Sequence, residues 1–165
     1  MLNPSVSQKI AVYPGTFDPI TFGHLDVLVR ASELFKKLIV AVSESSSKKT
    51  LFSVDERIKM IRESIKNINN VEVTSFSGLM VNFALKHKAS AVIRGLRAIS
   101  DFEYEFQMAL TNRKIAENIT TIFLMPHEKY TYLNSTLVKE IARYRGDVKS
   151  FVPPAVIKKL KTKFK

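Results

Sequence analysis

The sequence predicts a doubly wound α/β fold, a single domain built on a five-stranded parallel sheet flanked by helices. Three observations predict it. Five short β-branched apolar runs recur along the chain, stretches of helical periodicity separate them, and hydroxyl-plus-carboxylate start signals mark where some of those stretches begin. Strands alternating with helices imply parallel strands joined by right-handed crossovers. In such sheets ligands bind beyond the carboxyl ends of the strands, so chemistry is sought in the loop after each strand.

The first strand is read at Ile10–Tyr13, and the helix after it puts Leu25, Leu28 and Val29 on one face as it runs towards Phe35. Leu38–Val42 is the second strand. The next helix repeats Val54, Ile58, Ile61, Ile65 and Ile68 at spacings of three and four, and Ser53-Val54-Asp55-Glu56 is a capping box at its start. Val71–Thr74 is the third strand, followed by a helix marked by Leu79, Phe83 and Ala84. Ala91–Ile93 is the fourth. Its helix carries Phe102, Phe106, Ala109 and Leu110, with Ser100-Asp101-Phe102-Glu103 as a second capping box. The fifth strand is Thr121–Leu124. A fifth helix is expected to begin near Asn134 or Ser135 and to stop at Gly146 in a left-handed turn. A last helix follows Pro153-Pro154, making 155–165 a basic C-terminal helix, while residues 1–8 are expected to be flexible.

A chain of 165 residues, 45% hydrophobic and 25% charged, can bury one substantial core, which argues against disorder. No apolar run approaches the roughly 18 residues a membrane helix needs, and Met1–Lys9 does not read as a secretory signal. There are no cysteines, which removes disulfides, thiolate zinc sites and cysteine nucleophiles and fits a cytoplasmic protein. The net charge of +11 suits either a nucleic-acid binder or an enzyme of polyanionic substrates. Part of it crowds into the tail at Lys158, Lys159, Lys161, Lys163 and Lys165, where a solvated helix face is the plainer reading. Neither a helix-turn-helix pattern nor an RNA-binding signature with interleaved aromatics is evident. The charge says "anionic ligand" and no more.

Pro14-Gly15 is a turn dipeptide in which glycine allows a positive φ. Pro19 pushes Asp18 out of the helical region, so the chain stays irregular until about Thr21. Gly23 and His24 then fall in the first turn of a helix, where free N–H groups and the dipole favour an anion. A glycine there lets a phosphate approach the backbone, and the histidine beside it can donate a hydrogen bond to a phosphate oxygen.

The other strand-end loops are also unusual. Ser43–Thr50 is serine-rich and holds Lys48 and Lys49. A lysine is a mobile point charge suited to phosphate, although such a loop taken alone is more often solvated surface. Met80, after the third strand, taken alone reads as a core methionine. Arg94-Gly95-Leu96-Arg97 suits phosphate clamping, because guanidinium binds oxyanions bidentately. Asn134-Ser135-Thr136 places a capping amide and two hydroxyls at a helix start, where such groups bind phosphate as readily as they cap. His87 and His127 receive no role, and no histidine or carboxylate cluster is spaced as a protein metal site.

Gly15-Thr16-Phe17-Asp18-Pro19 followed by Thr21-Phe22-Gly23-His24 resembles the His-x-Gly-His signature of a nucleotidyltransferase superfamily, with Thr21 replacing the first histidine. With Arg94-Gly95-Leu96-Arg97 and Asp101-Phe102-Glu103-Tyr104-Glu105, the form is similar to bacterial phosphopantetheine adenylyltransferases. The likeness runs from about Ile10 to Pro154 without obvious gaps. Two departures stand out: Phe22, where that family often has asparagine, and Leu133-Asn134-Ser135-Thr136, where it usually reads Ile-Ser-Ser-Ser.

The resemblance implies a Rossmann-like fold and adenylyl transfer from ATP to 4′-phosphopantetheine. It makes His24 a stabiliser of the transition state at the α-phosphate and Lys48, whose neighbour is Lys49, a contact of the substrate phosphate and reaction centre. It puts the substrate against Thr16, Lys48, Met80 and Arg94. It puts ATP against Thr16, Phe17, His24, Gly95, Leu96, Arg97, Glu105, Tyr130, Thr131, Tyr132, Leu133, Asn134, Ser135 and Thr136. Mg²⁺ is expected to arrive on the ATP phosphates. A hexamer and feedback by coenzyme A are expectations of the family, and neither nucleic acid nor membrane is expected as a partner. The rivals are a sister nucleotidyltransferase with another phosphorylated substrate, a basic nucleic-acid-binding module, and a catalytically dead relative.

Overall fold

The computed structural model describes residues 7–44 and 49–165. Five strands form one parallel sheet: β1 (Ser7–Gly15), β2 (Phe35–Ser43), β3 (Val71–Phe76), β4 (Ala91–Gly95) and β5 (Thr120–Leu124). Six helices accompany them: α1 (Phe22–Leu34), α2 (Val54–Ser64), α3 (Met80–Lys86), α4 (Ile99–Ile115), α5 (Ser135–Arg143) and α6 (Pro154–Lys163). The strand order is β3-β2-β1-β4-β5, so the chain reverses its direction of travel across the sheet at β1. That reversal opens a crevice at the carboxyl ends of β1 and β4. Every strand expected from the sequence is present.

Period-two alternation divides the core. Ala11, Tyr13, Leu38, Val40, Val42 and Ile93 face one layer with Leu28 of α1, Ile61 of α2, Val138 of α5 and Leu160 of α6. Val12, Ile39, Ala41 and Val92 face the other, against Val81 and Ala84 of α3. Strands buried on both faces read as continuous apolar runs, which is why the sequence exposes them so plainly.

Several local expectations need correction. β1 begins at Ser7, ahead of the run at Ile10, with an irregular register between Ser7 and Ile10 against β2. It therefore takes in Ser7 and Gln8. α2 stops at Ser64; Ile65 is its C-cap and is still buried. The Ser53–Glu56 capping box forms, Glu56 N–H donating to Ser53 Oγ at 3.2 Å and Ser53 N–H to Glu56 Oε2 at 3.0 Å. Ser100 is not the N-cap expected of the second box, because α4 starts at Ile99 with Ala98 as its N-cap. Asp101 is drawn instead to Arg97, at 3.2 Å. After α5 the left-handed residue is Arg145 (φ 61) and not Gly146. Gly146 is needed for a different reason: a Cβ there would stand 2.6 Å from Ile141 Cγ2.

Candidate active site

A cavity of about 610 Å³ opens at the carboxyl end of the sheet. Its walls come from the β1–α1 loop, the Lys49–Thr50 segment before α2, the β4–α4 loop and the start of α5. Four of the five sheet-end loops thus contribute to one space, as an open parallel sheet favours; the loop after β3 does not.

The β1–α1 loop is shaped by packing more than by its glycine. Gly15 ends β1 without a positive φ, and the left-handed residue is Phe17 (φ 49). A Cβ on Gly15 would lie 2.8 Å from Phe17 Cζ, so Gly15 leaves room for that ring. Phe17 packs edge-on against Tyr13 and His24, both with centroids 5.3 Å away. Asp18 is 4% exposed and anchors the turn. Its two oxygens accept the N–H groups of Leu51 and Phe52 at 2.9 Å each, and Oδ2 also accepts Lys139 Nζ at 2.8 Å.

Thr21 is the N-cap of α1, and His24 completes a capping box as its N3 residue. The Thr21 N–H donates to His24 Nδ1 at 3.0 Å. Because Nδ1 accepts, a neutral ring carries its proton on Nε2, and the cap thereby selects the tautomer. Burial, with the positive charge of Arg97 behind it, pushes the His24 pKa down to about 4. His24 is therefore a neutral hydrogen-bond donor at physiological pH. Gly23 beside it lines the cavity, and its missing Cβ would meet Tyr130 at 3.5 Å.

Arg94 and Arg97 leave β4 towards the same space. Arg94 donates from Nε to Glu105 Oε2 at 2.7 Å and from Nη2 to Oε1 at 2.5 Å. Burial alone would lower the Arg94 pKa; the hydrogen bonds and charge of Glu105 outweigh it and hold it above its ordinary value. Arg97 donates to Asp101 and, from Nη1, to Leu133 O at 3.3 Å. Burial likewise raises the Tyr13 phenol above its usual range, against the pull of both arginines. On the facing wall Asn134 caps α5, its side chain accepting Leu137 N–H at 2.8 Å, and Ser135 Oγ donates to Pro19 O at 2.8 Å.

Of the residues singled out from the sequence, Thr16, Phe17, His24, Arg94, Gly95, Arg97, Glu105, Leu133, Asn134, Ser135 and Thr136 line the cavity. Leu96, Met80, Tyr130, Thr131 and Tyr132 do not. Leu96 N–H is spent on Leu124 O at 3.1 Å. Met80, the first residue of α3, packs on the second core cluster. Tyr130 stacks on Phe22 with centroids 6.1 Å apart, Thr131 Oγ1 donates to Glu128 O, and Tyr132 is mostly exposed beside Phe151. The Phe22 departure is thereby explained: it gives Tyr130 an aromatic partner. Lys48 lies outside the described residues, while Lys49 lines the cavity. Sequence reading missed Asp18, Arg57 and Lys139 as parts of the site's frame. Their partners are mostly backbone groups and lie far along the chain, so no local spacing announces them. His127, left without a role, turns out to hold the loop after β5 on α1, its N–H donating to Asp26 at 3.0 Å.

The family described as Cytidylyltransferase-like matches residues 12–141, which places the chain among the nucleotidyltransferases. A phosphopantetheine adenylyltransferase of Caldanaerobacter subterraneus subsp. tengcongensis is 54% identical over 96% of this chain and 99% of its own. One from Thermodesulfovibrio yellowstonii is 56% identical over 95% and 98%. Among solved structures, a putative nicotinate-nucleotide adenylyltransferase from Vibrio parahaemolyticus shares the fold at a TM-score of 0.69. It is 19% identical and covers 93% of this chain and 99% of its own. The chain belongs to the phosphopantetheine adenylyltransferase family, within the cytidylyltransferase-like nucleotidyltransferases.

Proposed function

We propose that the protein transfers the adenylyl group of ATP to 4′-phosphopantetheine, forming dephospho-coenzyme A and releasing pyrophosphate. The observation that carries this reading is the cavity itself. His24, Arg94, Arg97 and the Leu133–Thr136 stretch, drawn from three separate loops, line one space able to hold two anions. The names of the relatives supply the second substrate.

The chemistry asks little covalent help of the chain. An oxygen of the substrate phosphate attacks the α-phosphorus of ATP, and the bond from that phosphorus to the β-phosphate's bridging oxygen breaks. Pyrophosphate carries the electron pair away. The attacking oxygen is already anionic, so no general base is required, and the work is alignment and charge stabilisation. In this proposal the Nε2–H of His24 donates to the α-phosphate as charge builds there. Thr16 and Lys48 orient the attacking phosphate, with Met80 against the pantetheine arm. Arg94 holds the phosphate of phosphopantetheine. Phe17, Gly95, Arg97, Glu105 and the residues from Leu133 to Thr136 receive the nucleotide within the cavity, and Leu96, Tyr130, Thr131 and Tyr132 border it from outside the lining.

Mg²⁺ is proposed to enter on the ATP phosphates and to neutralise charge there. The carboxylates lining the cavity support this: Asp18 bonds Lys139, Glu105 bonds Arg94 and Asp101 bonds Arg97. No group of three or more potential metal ligands occurs among the described residues. A cytoplasmic location, a hexameric assembly and feedback by coenzyme A complete the proposal. Phe102, Tyr104, Phe106 and Leu110 leave apolar surface exposed on α4, which supports assembly. No helix among the described residues is long and apolar enough to cross a membrane.

The test is turnover with ATP and 4′-phosphopantetheine, detecting dephospho-coenzyme A by mass. A panel with nicotinamide mononucleotide and a glycerol phosphate, read by pyrophosphate release, checks the substrate. Faster release with either of those would overturn the assignment of 4′-phosphopantetheine. Sedimentation measures the assembly, and added coenzyme A in the same assay measures feedback.

A further inference from the structure

The end of β2 at Ser43 and the chain at Leu51 and Phe52, which leads into α2, are both tied by buried charge. Arg57 of α2 is 1% exposed. Its Nη1 donates to Thr16 O at 2.7 Å and to Ser43 O at 3.0 Å. Its Nε donates to the carbonyls of Phe52 and Ser53 at 3.2 and 3.3 Å. One guanidinium therefore fastens the β1 loop, the end of β2 and the start of α2 together. Asp18 closes the other end by accepting Leu51 N–H and Phe52 N–H, with Lys139 of α5 reaching it from the opposite wall.

Taking two charges out of water is costly, and the through-space attraction between Asp18 and Arg57 offsets only part of that cost. Both are bonded mainly to backbone, and charge-assisted bonds of this kind hold geometry strictly. The distance they hold is that between the turn carrying Thr16 and the segment carrying Lys49 and Thr50. All three residues line the cavity.

We infer that Arg57 and Asp18 are positioning residues for the transfer: they set where Lys49 and Thr50 stand relative to Thr16 and His24, and with it the alignment of the two reacting phosphates. The inference rests on the adenylyl-transfer reading above. In-line attack tolerates little displacement, and a misplacement of about 1 Å can cost on the order of 100-fold in rate. The nucleotide side has its own anchors in the Arg97 bond to Leu133 O and the Asn134 cap, so ATP binding should survive the loss of Arg57's fork.

Arg57→Lys keeps the charge but cannot reach all four carbonyls. In the folded variant, kcat should fall about 10- to 100-fold while ATP affinity by calorimetry stays at the wild-type value. Asp18→Asn should speed amide hydrogen exchange at Leu51 and Phe52 and lower kcat with it. Should either variant fail to fold, Lys139→Met removes one of the three donors to Asp18 at a partly exposed side chain, with the same two readouts expected. An unchanged kcat in folded Arg57→Lys, a loss of ATP affinity that accounts for the whole fall, or faster exchange at Leu51 and Phe52 without loss of kcat overturns the inference. If the wild-type enzyme makes no dephospho-coenzyme A, the functional reading fails by itself, and the exchange data still judge the clamp.

Discussion

On the β4 side of β1, Arg94 and Arg97 rest on the carboxylates of Glu105 and Asp101, with arginine side chains 31% and 38% exposed. On the β2 side, Arg57 and Asp18 are almost dry and bond chiefly to carbonyls and N–H groups of the chain. The same residue types do different work. A guanidinium on a carboxylate can exchange one oxyanion for another, since a phosphate offers similar acceptors. A guanidinium shared among four carbonyls has no such alternative. The first side is built to meet a ligand and the second to keep a frame.

The largest expected effect belongs to the group that stands between the two sides. His24→Ala should lower kcat by roughly 10²–10³, about 3–4 kcal/mol, because the lost donor acts mainly in the transition state. Damage confined to KM would move His24 into the binding class. Its pKa, held down to about 4, has a pH consequence. The ring is neutral in the folded protein and protonates more readily when unfolded, near pH 6.5. The stability it contributes is therefore complete above about pH 6.5 and is lost as pH falls from there towards 4. Urea unfolding of wild type and His24→Gln across that window should show the wild type losing more.

Arg94→Ala tests the ligand side. It should raise KM for the phosphorylated substrate about 10- to 100-fold, the worth of roughly 1.5–3 kcal/mol for a charged hydrogen bond. A KM change for ATP instead would reassign it. Gly23→Ala should separate fold from function. The added Cβ meets only ordinary contacts, and alanine favours a helix over glycine by about 0.5–1 kcal/mol, so melting should hold or rise. ATP should nonetheless bind about tenfold more weakly, by the loss of one hydrogen bond's worth of close approach. The smallest effect is Phe22→Asn, which removes the stack on Tyr130. It should cost about 0.5–1.5 kcal/mol, visible as a few degrees in melting. Turnover should remain near wild type.

The central strands β1, β2 and β4 were legible because both of their faces are largely buried, which writes them as apolar runs, while the edge strands β3 and β5 were marked by their β-branched residues. The ends were less legible. Ser7, Gln8 and Lys9 extend β1 by backbone pairing that polar side chains do not advertise. Ser100 looked like a cap, but helix starts depend on backbone angles, and the chain turns helical just after Ala98. At the site, His24 and Arg94 stood out because their motifs are local. Tyr130 through Tyr132 fell outside the cavity lining, since nearness in sequence to a phosphate loop does not fix which side a residue presents. Asp18 and Arg57 were unreadable for another reason: a charge that bonds backbone can do so against any sequence. Phe102 and Phe106 kept helical spacing, yet they lie on exposed surface, because periodicity identifies a stripe and not what covers it.

Asp18 and Lys139 stand 121 residues apart in the chain, and the ion pair between them joins the first loop of the fold to its fifth helix. During synthesis the β1 loop leaves the ribosome long before its counter-ion has been made. Until α5 arrives, Asp18 lacks its hydrogen-bonded lysine and the cavity lacks the wall that Asn134 and Ser135 provide. The lining of the site, which runs from Tyr13 to Lys139, is therefore complete only with nearly the whole polypeptide in place.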